Sequence, residues 1–184
     1  VGGPSVKPYQ PPGLYRHLNF PQRKYEHDAS EKQWRRGLYV HWQRQFLHPM
    51  LRAFDAPSRE ECTASRPRSN TSLAALTLLN DPTFVEASRA FAERIVAGAE
   101  TPGDRIDLAF HWATSRSPTA DEAGVLVGLY ESSRHYYEAN PQAAELALST
   151  GLYDVGDPTN QIELAAWTNV ARTILNLGET TMRN

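Results

Sequence analysis

The chain reads as an all-α protein: an irregular helical bundle with a proline-rich extended N-terminal arm and a long polar connection. Three observations carry that reading. Beyond residue 70, apolar residues recur at three- and four-residue spacings. No segment sustains the period-two alternation of a half-buried strand. Proline and short polar residues stand where helices begin, as in Asp81-Pro82, Thr119-Ala-Asp-Glu122 and Asn140-Pro141. With 184 residues, 40% hydrophobic and 22% charged, the chain suffices for one domain: an arm over 1–28 packed on a helical domain over 29–184.

In the arm, Pro4, Pro8, Pro11, Pro12 and Pro21 with Gly2, Gly3 and Gly13 oppose regular helix. Tyr9, Leu14, Tyr15, Leu18, Phe20 and Tyr25 are too apolar for a free linker, so the arm is expected to lie on the domain. Ser30 then stands as the N-cap of a helix from Glu31 to about Gln45, with Trp34, Leu38, Tyr39, Trp42 and Phe46 along one stripe. A polar connection of about twenty residues follows from His48 to Asn70; such a length implies a functional or buried segment, or helix around Met50 to Phe54.

An apolar helix is predicted from Ser72 to about Asn80, and another opened by Asp81-Pro82 to about Ala97, with Phe84, Ala87, Phe91 and Ile95 on one face. Asp104 to about Thr114 is the next. The capping box Thr119–Glu122 opens a helix through about Glu138. After Asn140-Pro141 comes a helix ending at Gly151, and the last, Pro158 to Leu177, turns Leu164, Trp167, Ala171 and Ile174 inward.

Charge and composition exclude several functions. The net charge of −2 divides unevenly: twelve basic against six acidic side chains up to Arg68 balance at +6, and seven against fifteen beyond it at −8. The basic part lacks a concentrated Lys/Arg stripe with interleaved aromatics, which argues against nucleic acid. No window approaches the roughly 18 apolar residues of a membrane span. Val-Gly-Gly-Pro at the start carries neither a basic n-region nor an apolar h-region, so a fragment or processed product of a longer chain is expected. His17, His27, His41, His48, His111 and His135 show no zinc spacing, and no Cys-x-x-Cys-His haem attachment site occurs, so neither metal nor cofactor is expected in this chain.

Residues 54–71 concentrate the polar chemistry. Asp55, Ser58, Arg59, Glu60, Arg66, Arg68, Asn70 and Thr71 form the candidate polar cluster, in which Asp55 and Glu60 accept hydrogen bonds from Arg59, Arg66 or Arg68, and Asn70 or Thr71 caps the helix at Ser72. Such a clamp would offset the backbone entropy lost in ordering the segment. Cys62 could be a reactive thiol beside guanidinium groups, or a small hydrophobe; Ser58 has no glycine elbow. No catalytic residue is assigned. Tyr9, Tyr15, Phe20, Tyr25, Trp34, Tyr39 and Trp42 serve either as packing between arm and domain or as a carbohydrate-stacking platform.

Four stretches, "GGPSVKPYQPPGLY", "FDAPSREECTASRPRSNTSLAALTLLNDPTFVEASRAFAERI", "SRSPTADE" and "AWTNVARTILNLGET", resemble the planctomycete-specific C-terminal domain of unknown function found in large secreted proteins, many of them with a cytochrome c-like haem domain. The resemblance implies an extracytoplasmic (periplasmic or secreted) location and a multidomain parent whose haem, where present, lies outside this chain. It supplies no activity. Together with the charge division, it makes a non-catalytic structural or interaction domain, docking on its parent or a protein partner, the expected function. The alternative is an enzyme or ligand-binding domain for anionic or carbohydrate substrates in a secreted, redox-linked protein.

Overall fold

The computed structural model describes residues 2–17, 24–43, 46–58, 60–65, 71–153 and 160–181. It is all-α: eight α-helices occur among the described residues, and β-type backbone pairing there is limited to two isolated bridges, Val6 with Val40 and Gln43 with Phe46. The chain divides into two compact units, residues 1–77 and 78–184.

In the first unit the arm is organised by hydrogen bonds more than by apolar burial. Val6 lies parallel to the segment after Tyr39, donating its amide to the Tyr39 carbonyl (2.8 Å) and accepting from the His41 amide (2.7 Å). That pairing overrides the helix expected from Glu31 to Gln45. Two short 3-10 turns, Glu31–Trp34 and Gly37–Tyr39, stand there instead, joined by Arg35 and Arg36 in extended backbone. The Arg35 guanidinium donates to the carbonyls of Pro4 (2.9 Å) and Gly2, and lies 3.7 Å from the Tyr39 ring centroid. Ser30 precedes the first turn without a side-chain cap. Arg44 and Gln45 lie outside the described residues. The apolar stripe therefore disperses: Leu38 is exposed and Val40 buried.

Gln33 is the hub of this unit. Buried, it accepts from the Tyr9 amide (2.8 Å) through Oε1 and donates to the Asp28 carbonyl through Nε2, while the Asp28 carboxylate accepts from the Lys7 amide (2.7 Å). His48, also buried, contacts the Tyr9 carbonyl through Nε2 (3.0 Å), and its Nδ1 accepts from the Met50 amide (3.3 Å). That second bond fixes Nδ1 as the unprotonated nitrogen and caps α1 (Pro49–Ala53), the short helix anticipated in the connection.

Helix α2 (Ser72–Asn80) carries the chain across the division between the units. The second unit holds α3 (Pro82–Gly98), α4 (Pro102–Thr114), α5 (Ala120–Ala139), α6 (Pro141–Leu148), α7 (Gln161–Leu175) and α8 (Gly178–Thr181). Their starts obey local chemistry. Asp81 accepts from the Thr83 amide (2.9 Å), Thr101 from Asp104 (3.2 Å) and Asn160 from Glu163 (3.0 Å), and Thr119 with Glu122 completes a reciprocal capping box. α4 begins two residues before the expected Asp104 because Pro102 suits a first turn. α6 stops at Leu148, short of Gly151, whose φ of +104° excludes it from a helix.

α7 is the axis of this unit, packed chiefly against α3 and α5 and flanked by α4 and α6. Leu164, Trp167, Ala171 and Ile174 are buried as expected, and so are Ala165, Ala166 and Val170, because neighbours surround the helix on more than one side. Ile95, Ile106, Phe110, Leu126 and Tyr130 complete the core, with the Tyr130 ring 4.7 Å from that of Trp167. The face expected of α3 is corrected in part: Ile95 is buried, but Ala87 is exposed, and Ser88, Arg89 and Ala92 lie inward.

Candidate functional site

The polar connection is described in part. Asp55 follows α1 with φ at +55° and is half-buried; a left-handed aspartate is tolerated because its short side chain can bond locally. The exposed Ser58 hydroxyl accepts from the Glu60 amide (3.4 Å), and Glu60 and Cys62 are exposed, Cys62 as a free thiol. Thr71 Oγ1 accepts from the Ala74 amide (3.1 Å) and so caps α2. Arg59, Arg66, Arg68 and Asn70 lie outside the described residues.

α2 itself is unusual for an apolar helix. Its sequence, Ser-Leu-Ala-Ala-Leu-Thr-Leu-Leu-Asn, has one buried residue, Ala74, while Leu73 is 60% and Leu76 56% exposed.

A cleft of about 720 Å³ opens in the first unit. Three tyrosines are among its lining residues: Tyr15 packs edge-on to Tyr25 (5.3 Å between ring centroids) and to Phe46 (5.8 Å), and Tyr9 edge-on to His27 (6.1 Å). Burial, reinforced by Tyr15 and Asp28, pushes the Tyr25 phenol above its ordinary pKa, so it stays protonated and donates to the Pro8 carbonyl (2.6 Å). Gln10, 6% exposed, lines the cleft with an Oε1 that has no hydrogen-bond partner. Arg16 and Lys24 stand at its exposed edge, Lys24 paired with Glu26 at 3.3 Å. Of the aromatic set singled out in the sequence, Tyr9, Tyr15 and Tyr25 converge here. Trp34 and Tyr39 do not line the cleft, and Phe20 lies outside the described residues.

Periodicity alone missed the buried charges of the second unit. Arg89 donates to the carbonyls of Leu148, Thr150 (3.2 Å) and Tyr153, and Glu86, one turn earlier, accepts from the amides of Leu152 (3.1 Å) and Tyr153 (2.6 Å). Together they hold the turn after α6. A Cβ on Gly151 would stand 2.5 Å from the Glu86 carboxylate, so only glycine fits there. Arg105 donates to the Val96 (3.2 Å) and Ala99 (2.8 Å) carbonyls and pairs with Glu163; Arg172 donates to the Leu79 carbonyl. Each of these three arginines thus satisfies carbonyls at the end of a helix, α6, α3 or α2, where the peptide dipoles favour a cation. Glu93 Oε1 is buried without a partner, and burial raises its pKa against the opposing effect of Arg89.

Among the described residues no three His, Cys, Asp or Glu side chains form a group that could hold a metal ion, and no helix is long and apolar enough to cross a membrane. The fold and these sites define an all-α protein with a hydrogen-bonded, aromatic-rich first unit and an arginine-capped helical second unit. The chain belongs to the PSD1 family, described as "Protein of unknown function (DUF1553)", which it matches over residues 1–130. The closing stretch "AWTNVARTILNLGET" lies beyond the matched residues. Neither the curated proteins nor the solved structures include a match to this chain.

Proposed function

We propose that this chain is a non-catalytic interaction domain of an exported multidomain protein, docking through the apolar face of α2 onto the remainder of its parent polypeptide. The observation that supports this reading is Leu73, 60% exposed on a helix made largely of leucine and alanine. Burying such a side chain is worth about 2 kcal/mol. The +6 balance of the chain up to Arg68, which leads into α2, favours an apolar partner surface with an acidic rim. The extracytoplasmic location, the planctomycete source and a cytochrome c-like haem domain elsewhere in the parent belong to the same proposal and rest on the sequence resemblance. No cofactor is assigned to the chain itself.

The test mixes the chain with the separately produced remainder of the parent and follows association by sedimentation. Complex formation that Leu73→Asp abolishes, with helical content unchanged, is the expected result. An absence of association at micromolar concentrations, or association indifferent to Leu73→Asp, overturns the reading. A second reading, a ligand-binding domain for anionic or carbohydrate molecules, is favoured by the tyrosine-lined cleft.

A further inference from the structure

We propose that the cleft in the first unit is a binding site for an acidic saccharide, a ring-shaped polyol carrying a carboxylate. The proposal rests on the ligand-binding reading of this cleft and is independent of the docking face on α2. Four features of the cleft select that chemistry. Its volume of about 720 Å³ falls in the range of roughly 300–1,000 Å³ typical of small-molecule sites. Tyr9, Tyr15 and Tyr25 supply aromatic surface on which the C–H face of a sugar ring packs. Gln10 supplies a buried acceptor, Oε1, that lacks a donor. Leaving such a group unsatisfied is costly, and a sugar hydroxyl is a donor of the right size.

The exposed edge adds charge selection. Arg16 and Lys24 line the same cleft and are exposed, two cations able to pair with a carboxylate, Arg16 offering a planar fork of donors. Glu26, paired with Lys24 at 3.3 Å, competes for that ammonium, so Arg16 is the principal anion contact. A neutral sugar would satisfy Gln10 and the tyrosines but not the cations. A simple carboxylate would meet the cations but leave the rings and Gln10 as they are.

The experiment titrates the full chain with trigalacturonate, maltotriose and acetate, following the Gln10 side-chain amide and the tyrosine resonances by NMR and the affinity by calorimetry. Saturable binding of trigalacturonate at least tenfold tighter than maltotriose is expected, with shifts centred on Tyr9, Gln10, Tyr15 and Tyr25. Arg16→Gln, an exposed substitution that spares the fold, should weaken trigalacturonate binding about tenfold and leave maltotriose unchanged. Equal affinity for the neutral and acidic sugars, acetate producing the same shifts, an unaffected Arg16→Gln variant, or no saturation by any probe would each overturn the proposal.

Discussion

The two units solve the same problem by different means. In residues 78–184 a contiguous apolar core runs from Ala92 to Ile174, with the Trp167 side chain fully enclosed and Arg89, Arg105 and Arg172 closing helix ends around it. The buried apolar side chains of residues 1–77 include Val6, Val40, Ala53 and Ala74, and much of the remaining order comes from Gln33, His48, Arg35 and Asp28 reaching backbone groups of the arm. Apolar burial is non-directional and tolerates local repacking, whereas a buried hydrogen-bonding side chain is specific and leaves orphaned groups when removed. The first unit is therefore expected to be the more easily opened of the two, which suits a unit that carries a cleft.

The comparison is broken most forcefully at Trp167. Trp167→Ala should cost about 3–5 kcal/mol through lost burial and a cavity, read as a lowered denaturant midpoint, with hydrogen exchange in residues 1–77 little altered. A first unit that loses protection to the same degree would show that both unfold as one. Arg89→Ala comes next, at about 3 kcal/mol, because three carbonyls lose their donor; Gly151→Ala should loosen the same turn by pushing Glu86 aside, and a normal protection pattern at Leu152 and Tyr153 in both variants would show that Glu86 and Arg89 do not hold the turn after α6.

In the first unit, Gln33→Leu should cost about 1–3 kcal/mol and expose the Tyr9 amide to exchange without shifting the transition of the second unit. Thr119→Ala should cost about 1 kcal/mol by removing half of the α5 capping box, measurable as a small drop in thermal midpoint.

The smallest effect is electrostatic. Hydrogen bonds from Arg116 and the Thr119 amide depress Glu122 from 4.5 to about 2, so its contribution to stability is complete above pH 4.5 and is lost as pH falls toward 2. Glu122→Gln should flatten the acid limb of the stability curve in that window; an unchanged limb would mean that the pair does not persist in solution.

Legibility followed the kind of interaction. The capping signals Asp81 and Thr119, the Asn140-Pro141 punctuation and the α7 stripe were readable because a helix start is decided within four residues and an amphipathic face repeats every turn. The segment from Glu31 misled for the opposite reason. Its stripe of Trp34, Leu38 and Trp42 has helical spacing, but the competing partner, Val6, is more than thirty residues away, and Gly37 and the extended Arg35-Arg36 pair accommodate it. In the candidate cleft, an excess of tyrosine was visible from the start. That Tyr9, Tyr15 and Tyr25 converge while Trp34 and Tyr39 do not depends on how the arm folds back.

By itself, then, the sequence determined the all-α class, the boundaries of most helices beyond residue 70 and the inward face of α7, since each follows from interactions among residues a turn or less apart. Tertiary structure alone decided that the chain forms two compact units, that Gln10 is buried with an unsatisfied oxygen beside three tyrosines, and that Arg89, Arg105 and Arg172 close the ends of other helices. Those pairings join groups up to 93 residues apart. An arginine reads the same in sequence whether it faces water or a helix end, because its long side chain reaches either, and only the packing of the helices chooses between them.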